Sequence, residues 1–111
     1  MNIETANPKV IAQYLNDLLA IIENDILEMS EEYELDAWKE LYDFVFSEEI
    51  SKKIHERFPD FHYADPDAAY QEDVITFIRA FSEYAGFGIK KKAGSRILPS
   101  FEYWCNEMKI N

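Results

Sequence analysis

Cysteine is nearly absent from this chain of 111 residues, with Cys105 standing alone. One thiol excludes an intrachain disulfide and every multi-cysteine metal site, and it fits a reducing compartment. Glycine is scarce too: all 3 residues, Gly86, Gly88 and Gly94, fall between positions 86 and 99. No flexible linker and no internal repeat can be read elsewhere. No apolar run approaches the ~20 residues that a membrane span requires. The opening MNIETANPKV puts acid and proline where a signal peptide has basic and then apolar residues. The expectation is a soluble, cytoplasmic protein.

Positive charge is also short. Lys and Arg number 11 against 22 Asp and Glu, a net charge of −11. The imbalance is uneven: residues 1–73 hold 19 acids against 5 bases, and residues 74–111 hold 3 against 6. A negative field over the first two thirds repels nucleic acid and anionic membrane and attracts a basic partner. What the chain has in quantity is apolar surface, at 48% with 15% aromatic. That is enough for one core, and the length suits a single domain over 1–111.

The periodicity is helical nearly throughout. Asn7-Pro8 pairs an N-cap residue with a proline at the first helical position, where its missing N–H costs nothing. Ile11, Leu15, Leu18, Ile22, Ile26 and Met29 then recur at steps of three and four, widened by Val10, Tyr14 and Leu19. A second helix is predicted over 33–46, with Trp38, Leu41, Tyr42 and Val45 on one face. A third is predicted over 48–58, capped by Ser47 and ended by Pro59. Asp65-Pro66 repeats the start device and opens a fourth helix over 66–85, with Tyr70, Val74, Phe77, Ile78 and Phe81 inward and Gly86 as its C-terminal cap. Ser100 caps a last helix carrying Phe101, Trp104, Cys105 and Met108 at i, i+3, i+4, i+7. The expected fold is all-α, an irregular bundle of four to five helices.

Signatures of chemistry are missing. HERFP at 55–59 begins like a zinc-binding helix, but Pro59 stands where that motif needs histidine. Asp65 and Asp67 could start a calcium loop, yet its sixth position is Tyr70 rather than glycine and its twelfth is Thr76 rather than glutamate. The residues three before His55 and His62 are Lys52 and Pro59, so neither supplies a di-iron Glu-x-x-His motif. Cys105 lies on an apolar stripe, where a thiol is ordinarily inert. GFGIKKKAGSR lacks the glycine-lysine-serine/threonine order of a phosphate loop. It reads as a basic loop, either complementing the acidic part or simply solvated. With 22 acids, chance carboxylate pairs abound and none is singled out. No catalytic residue, metal site or cofactor is assigned, and the protein is not expected to be an enzyme.

One stretch combines two ingredients of a binding surface. FPDFHYADPDAAYQED, residues 58–73, interleaves rings with acids. Aromatic anchors bury much area at low entropic cost, and carboxylates around them steer a basic partner. The candidate partner-binding residues are Asp60, Phe61, Tyr63, Asp65, Asp67, Tyr70, Glu72 and Asp73. The competing expectation is that Phe61 or Tyr70 turns inward and closes the bundle. A second acidic run, Glu23, Asp25, Glu28, Glu31, Glu32, Glu34 and Asp36, reads first as a solvated face that could extend the same field.

The segments FHYADPDAAYQEDVITFIRAF and AGFGIKKK resemble features of the immunity proteins that neutralise nuclease colicins and contact-dependent inhibition toxins. Those proteins are small, acidic and helical. The colicin DNase immunity proteins have an aromatic-acidic segment, an Asp/Ser-Pro helix start and a glycine-lysine tail. Their paired-tyrosine-then-proline motif is missing here, and SFEYWCNEMK is additional, so the likeness extends to the functional class alone. The resemblance implies a basic partner, a nuclease toxin domain, inhibited by occlusion or from a neighbouring site. Two rival readings share the charge. An acidic mimic of nucleic acid would array carboxylates along a long face with few aromatic anchors. A small regulatory protein-binding or small-molecule domain would be acidic incidentally.

Overall fold

The computed structural model of the chain describes residues 2–26, 31–62, 70–87 and 99–109, with the side chains of 24–26 and 31–34 outside that description. The fold is all-α, and the described residues include no β-strand. The helices are α1 (Pro8–Ile26), α2 (Glu31–Val45), α3 (Lys53–Arg57), α4 (Tyr70–Ala85) and α5 (Phe101–Glu107), with a π-turn at Glu48–Lys52 leading into α3. No helix among the described residues is long and apolar enough to cross a membrane.

α1 begins as its sequence dictates, with Asn7 Oδ1 accepting the Lys9 N–H at 2.8 Å ahead of the first turn. Its packing differs from the expected stripe. Every side chain from Tyr14 to Ile22 is buried, including Asn16 and Asp17. A helix covered all round is the centre of a core rather than one wall of it. α2 and α4 both pack on α1 and on each other. Trp38, Leu41 and Val45 of α2 and Val74, Phe77, Ile78 and Phe81 of α4 are buried, as their spacing predicts. Leu18 and Trp104 join the same core.

α4 ends at Gly86, whose φ of 73° lies in the left-handed region that glycine adopts freely. The Phe87 N–H reaches the Ser82 carbonyl at 2.8 Å and the Gly86 N–H reaches that of Glu83 at 3.1 Å, closing the helix end. The expected start at Asp65-Pro66 and the basic loop over 88–98 lie outside the described residues.

The single helix expected over 48–58 is instead two pieces. Ser47 makes no side-chain cap bond. Its carbonyl accepts from the N–H groups of Ile50 at 3.3 Å and Lys52 at 3.4 Å, and from Ser51 Oγ at 3.2 Å. A serine hydroxyl competing for a helix carbonyl widens the turn, and Ile50 and Ile54 still reach the core. Pro59 ends α3 as expected, with Phe58 leaving the helix at φ −122°.

α5 is short but fully capped: Ser100 Oγ accepts the Tyr103 N–H at 3.1 Å. Phe101, Trp104 and Cys105 face inward. Burial pushes the Cys105 thiol up from its ordinary range, so it packs as a neutral group. Polar bonds fix the helix to α1. Tyr14 Oη donates to the Pro99 carbonyl at 2.7 Å, and Trp104 Nε1 donates to Asp17 Oδ2 at 2.9 Å.

Candidate partner-binding surface

The aromatic-acidic segment divides sharply. Its first half folds under the bundle: the Phe61 N–H bonds the Phe58 carbonyl at 2.9 Å, turning the chain back. Phe61 is therefore a core residue rather than an exposed anchor, 5% accessible. Its ring meets Phe81 at 5.4 Å, Tyr84 at 5.5 Å and Phe77 at 5.7 Å, and it stacks on the exposed His55 at 5.7 Å. That His55 packs on rings accounts for it without a metal. Asp60 beside it is exposed.

The second half begins α4. Tyr70 is half-buried, edge-on to Tyr42 of α2 at 5.0 Å. Glu72 is exposed, but Asp73 is buried at 8% and so is no surface charge partner. The reason is angular. Asp73 and Val74 lie on the side of α4 that faces α1 and α2, whereas Glu72, at about 100° per residue, points away. Tyr63, Asp65 and Asp67 lie outside the described residues.

α2 carries a face that the segment-based reading did not single out. Asp36, Glu40 and Asp43 recur at i, i+4, i+7 and are all exposed. Beside that acidic stripe runs an apolar ridge of Leu35, Tyr42 and Phe46, spaced seven and four residues apart. Leu35 is 61% accessible, whereas the described apolar residues that follow it on the helix are buried or half-buried. Tyr42 and Phe46 are half-buried, 4.8 Å apart, and Phe46 continues onto Phe77 at 5.2 Å. The ridge therefore reaches Tyr70 through Tyr42. Of the second acidic run, Asp36 is exposed and Glu23 half-buried. The side chains of the other five lie outside the described residues.

Among the described residues, no group of three His, Cys, Asp or Glu side chains is arranged to hold a metal ion. A scan against protein-family models found no match, and searches of curated proteins and of solved structures found none either.

Proposed function

We propose that this protein is a toxin-neutralising immunity protein, which binds and inhibits a basic toxin domain, a nuclease, in the cytoplasm. The observation that carries the reading is the pairing along α2 of an exposed carboxylate stripe, Asp36, Glu40 and Asp43, with an apolar ridge of Leu35, Tyr42 and, one residue past the helix, Phe46. A nuclease holds phosphates with basic residues around its active site. An acidic face accelerates encounter with such a surface, and apolar side chains slow dissociation. Inhibition of this kind needs no catalytic group on the inhibitor. Of the segment 60–73, this reading keeps the exposed Asp60 and Glu72 and the half-buried Tyr70 beside Tyr42, and omits the buried Phe61 and Asp73; Tyr63, Asp65 and Asp67 are kept on sequence alone.

The test is purification of the tagged chain from a native lysate, identification of its partner, and assay of the partner's nuclease activity. The expected partner is basic, and its nuclease activity falls to background at one equivalent of the chain. Its association slows as salt rises, because charges are screened within about 8 Å at physiological ionic strength. A partner without nuclease activity, or association rates flat from low to high salt, would overturn the reading. Replacing Asp36, Glu40 and Asp43 by their amides should slow association about tenfold or more at low salt while leaving the melting temperature in place.

A further inference from the structure

A cleft of about 260 Å³ opens on the opposite edge of α2, where the N-terminal turn, the π-turn and the start of α5 meet α1. Its apolar walls are Ile3, Phe44, Ile50 and Phe101, and its charged lining is Glu49, Glu102 and Lys53. The volume is below the ~300–1,000 Å³ of drug-sized ligand sites and suits one long side chain.

Most polar side chains lining it already hold a partner, and the two that hold none among the described residues are both carboxylates. Tyr14 Oη donates to the Pro99 carbonyl, Ser100 Oγ accepts from Tyr103, and Asn2 Oδ1 accepts from Thr5. Lys53 pairs with Glu4 at 3.4 Å. Glu49 and Glu102 are exposed and make no hydrogen bond or ion pair with a described residue. As carboxylates they offer acceptors and no donor. The cleft thus offers a ligand two unpartnered carboxylates beside aromatic walls. Glu49's charge also reaches the floor, since it helps hold the Tyr14 hydroxyl above the ordinary tyrosine range, a shift to which burial contributes most.

We infer that this cleft receives one arginine side chain of a basic protein, its methylene stem against Phe44, Ile50 and Phe101 and its guanidinium at Glu49 and Glu102. Arginine matches each part. Its stem is apolar, its fork supplies five donors to acceptor-only partners, and its plane packs on aromatic rings. An anion would meet two unpaired carboxylates and a lysine that already pairs with Glu4, and an apolar side chain would leave both carboxylates facing it without a donor.

The inference rests on reading the chain as a binder of basic proteins, and its test is independent of the partner's identity. The probe is N-acetyl-L-arginine amide, titrated at constant ionic strength and followed by amide shifts in two-dimensional NMR, with N-acetyl-L-norleucine amide as the apolar match. Saturable shifts are expected for arginine at Phe44, Ile50 and Phe101. The doubly substituted Glu49→Gln/Glu102→Gln chain should bind about tenfold more weakly or worse. Glu83→Gln, an exposed acid of α4 away from the cleft, should change nothing. Absence of saturable shifts, equal shifts with norleucine, or an unchanged affinity in the double variant would overturn the inference. Failure of the probe alongside intact inhibition of a basic nuclease would discard the cleft and leave the proposed function standing.

Discussion

A seam of rings runs along α4 from the end of α2: Tyr42 on Tyr70, Phe46 just past α2 on Phe77, and Phe61 on Phe77 and Phe81. Between α1 and α5 rings also meet, with Tyr14 5.0 Å from Phe101 and 5.4 Å from Trp104. There, however, two of the three rings are also tied by a directed bond, Tyr14 to the Pro99 carbonyl and Trp104 to Asp17. The difference follows helix length. α4 has 16 residues and buries a full stripe, whereas α5 has 7 and presents three buried side chains. A short helix gains little from area and little from its own hydrogen bonds. Its position is set by bonds that work in one geometry only.

Asp17 shows how such a bond is built. The residue is 2% accessible, and its carboxyl group accepts from Gln13 Nε2 at 2.6 Å through one oxygen and from Trp104 through the other. One turn of polar contacts continues beside it: Asn16 Nδ2 donates to the Ala12 carbonyl at 2.8 Å and to Ser82 Oγ at 2.9 Å, joining α1 to α4. The satisfaction is incomplete. Asn16 Oδ1 is buried without a partner among the described residues, as is Trp38 Nε1 on α2. Each such atom costs roughly 1–3 kcal/mol.

Breaking the ring seam should have the largest effect. Phe77 is fully buried and touches Phe46, His55 and Phe61. Phe77→Ala should cost about 3–5 kcal/mol, from lost transfer energy and the cavity left behind. Urea unfolding should show this as a lower midpoint at unchanged slope, because the whole bundle loses the same contact.

Breaking the polar seam should cost less and act more locally. Asp17→Ala leaves the Trp104 N–H buried without its acceptor, at about 2–3 kcal/mol. Near-ultraviolet circular dichroism should lose tryptophan signal while the far-ultraviolet helical signal is nearly kept, because α5 is short. If the two signals fell together, α5 would not be the separable part.

Alkaline titration sharpens the same contrast. Burial, with smaller help from Cys105 and Glu49, raises the Tyr14 hydroxyl above its ordinary range in the folded chain. In the unfolded chain it ionises near pH 10. Above that pH the unfolded state gives up a proton that the folded state keeps, so stability falls as pH rises. Cys105, also raised by burial, begins the same loss above about pH 8.5. Tyr14→Phe should lower stability by about 1 kcal/mol at pH 7, by losing the Pro99 bond. It should also flatten the decline above pH 10, and chemical denaturation at pH 7, 9 and 10.5 would measure both.

These seams also show what the chain disclosed before its fold was known. Spacing alone placed the bodies of α1, α2, α4 and α5, because each has apolar residues at three- and four-residue steps and a cap or breaker at an end. It located the burial of Phe77, Phe81 and Trp104 for the same reason. It missed the burial of Asn16 and Asp17, although a signal was present: Tyr14, Leu15, Leu18, Leu19, Ala20, Ile21 and Ile22 surround the helix on every side, leaving those two residues nowhere to go but inward. Phe61 was ambiguous because its direction is set by a turn at Phe58 and by rings on α4, not by local periodicity. Glu49 and Glu102 could not have been placed in one cleft from sequence, since they share its lining only when α5 docks.

The two serine helix starts give the smallest test. Both Ser47 and Ser100 precede an acidic first turn in extended backbone, with ψ of 166° and 159°. Only Ser100 completes the cap, through the Tyr103 N–H. Ser47 serves instead through its carbonyl, a group that alanine also has. Ser100→Ala should therefore cost about 1 kcal/mol, further weakening the polar seam, while Ser47→Ala should stay within about 0.5 kcal/mol of the parent. Thermal melts of the two variants side by side decide it. Equal losses would mean that the turn at 48–52 depends on the Ser47 hydroxyl, and the contrast between a capped α5 and an uncapped π-turn would fail.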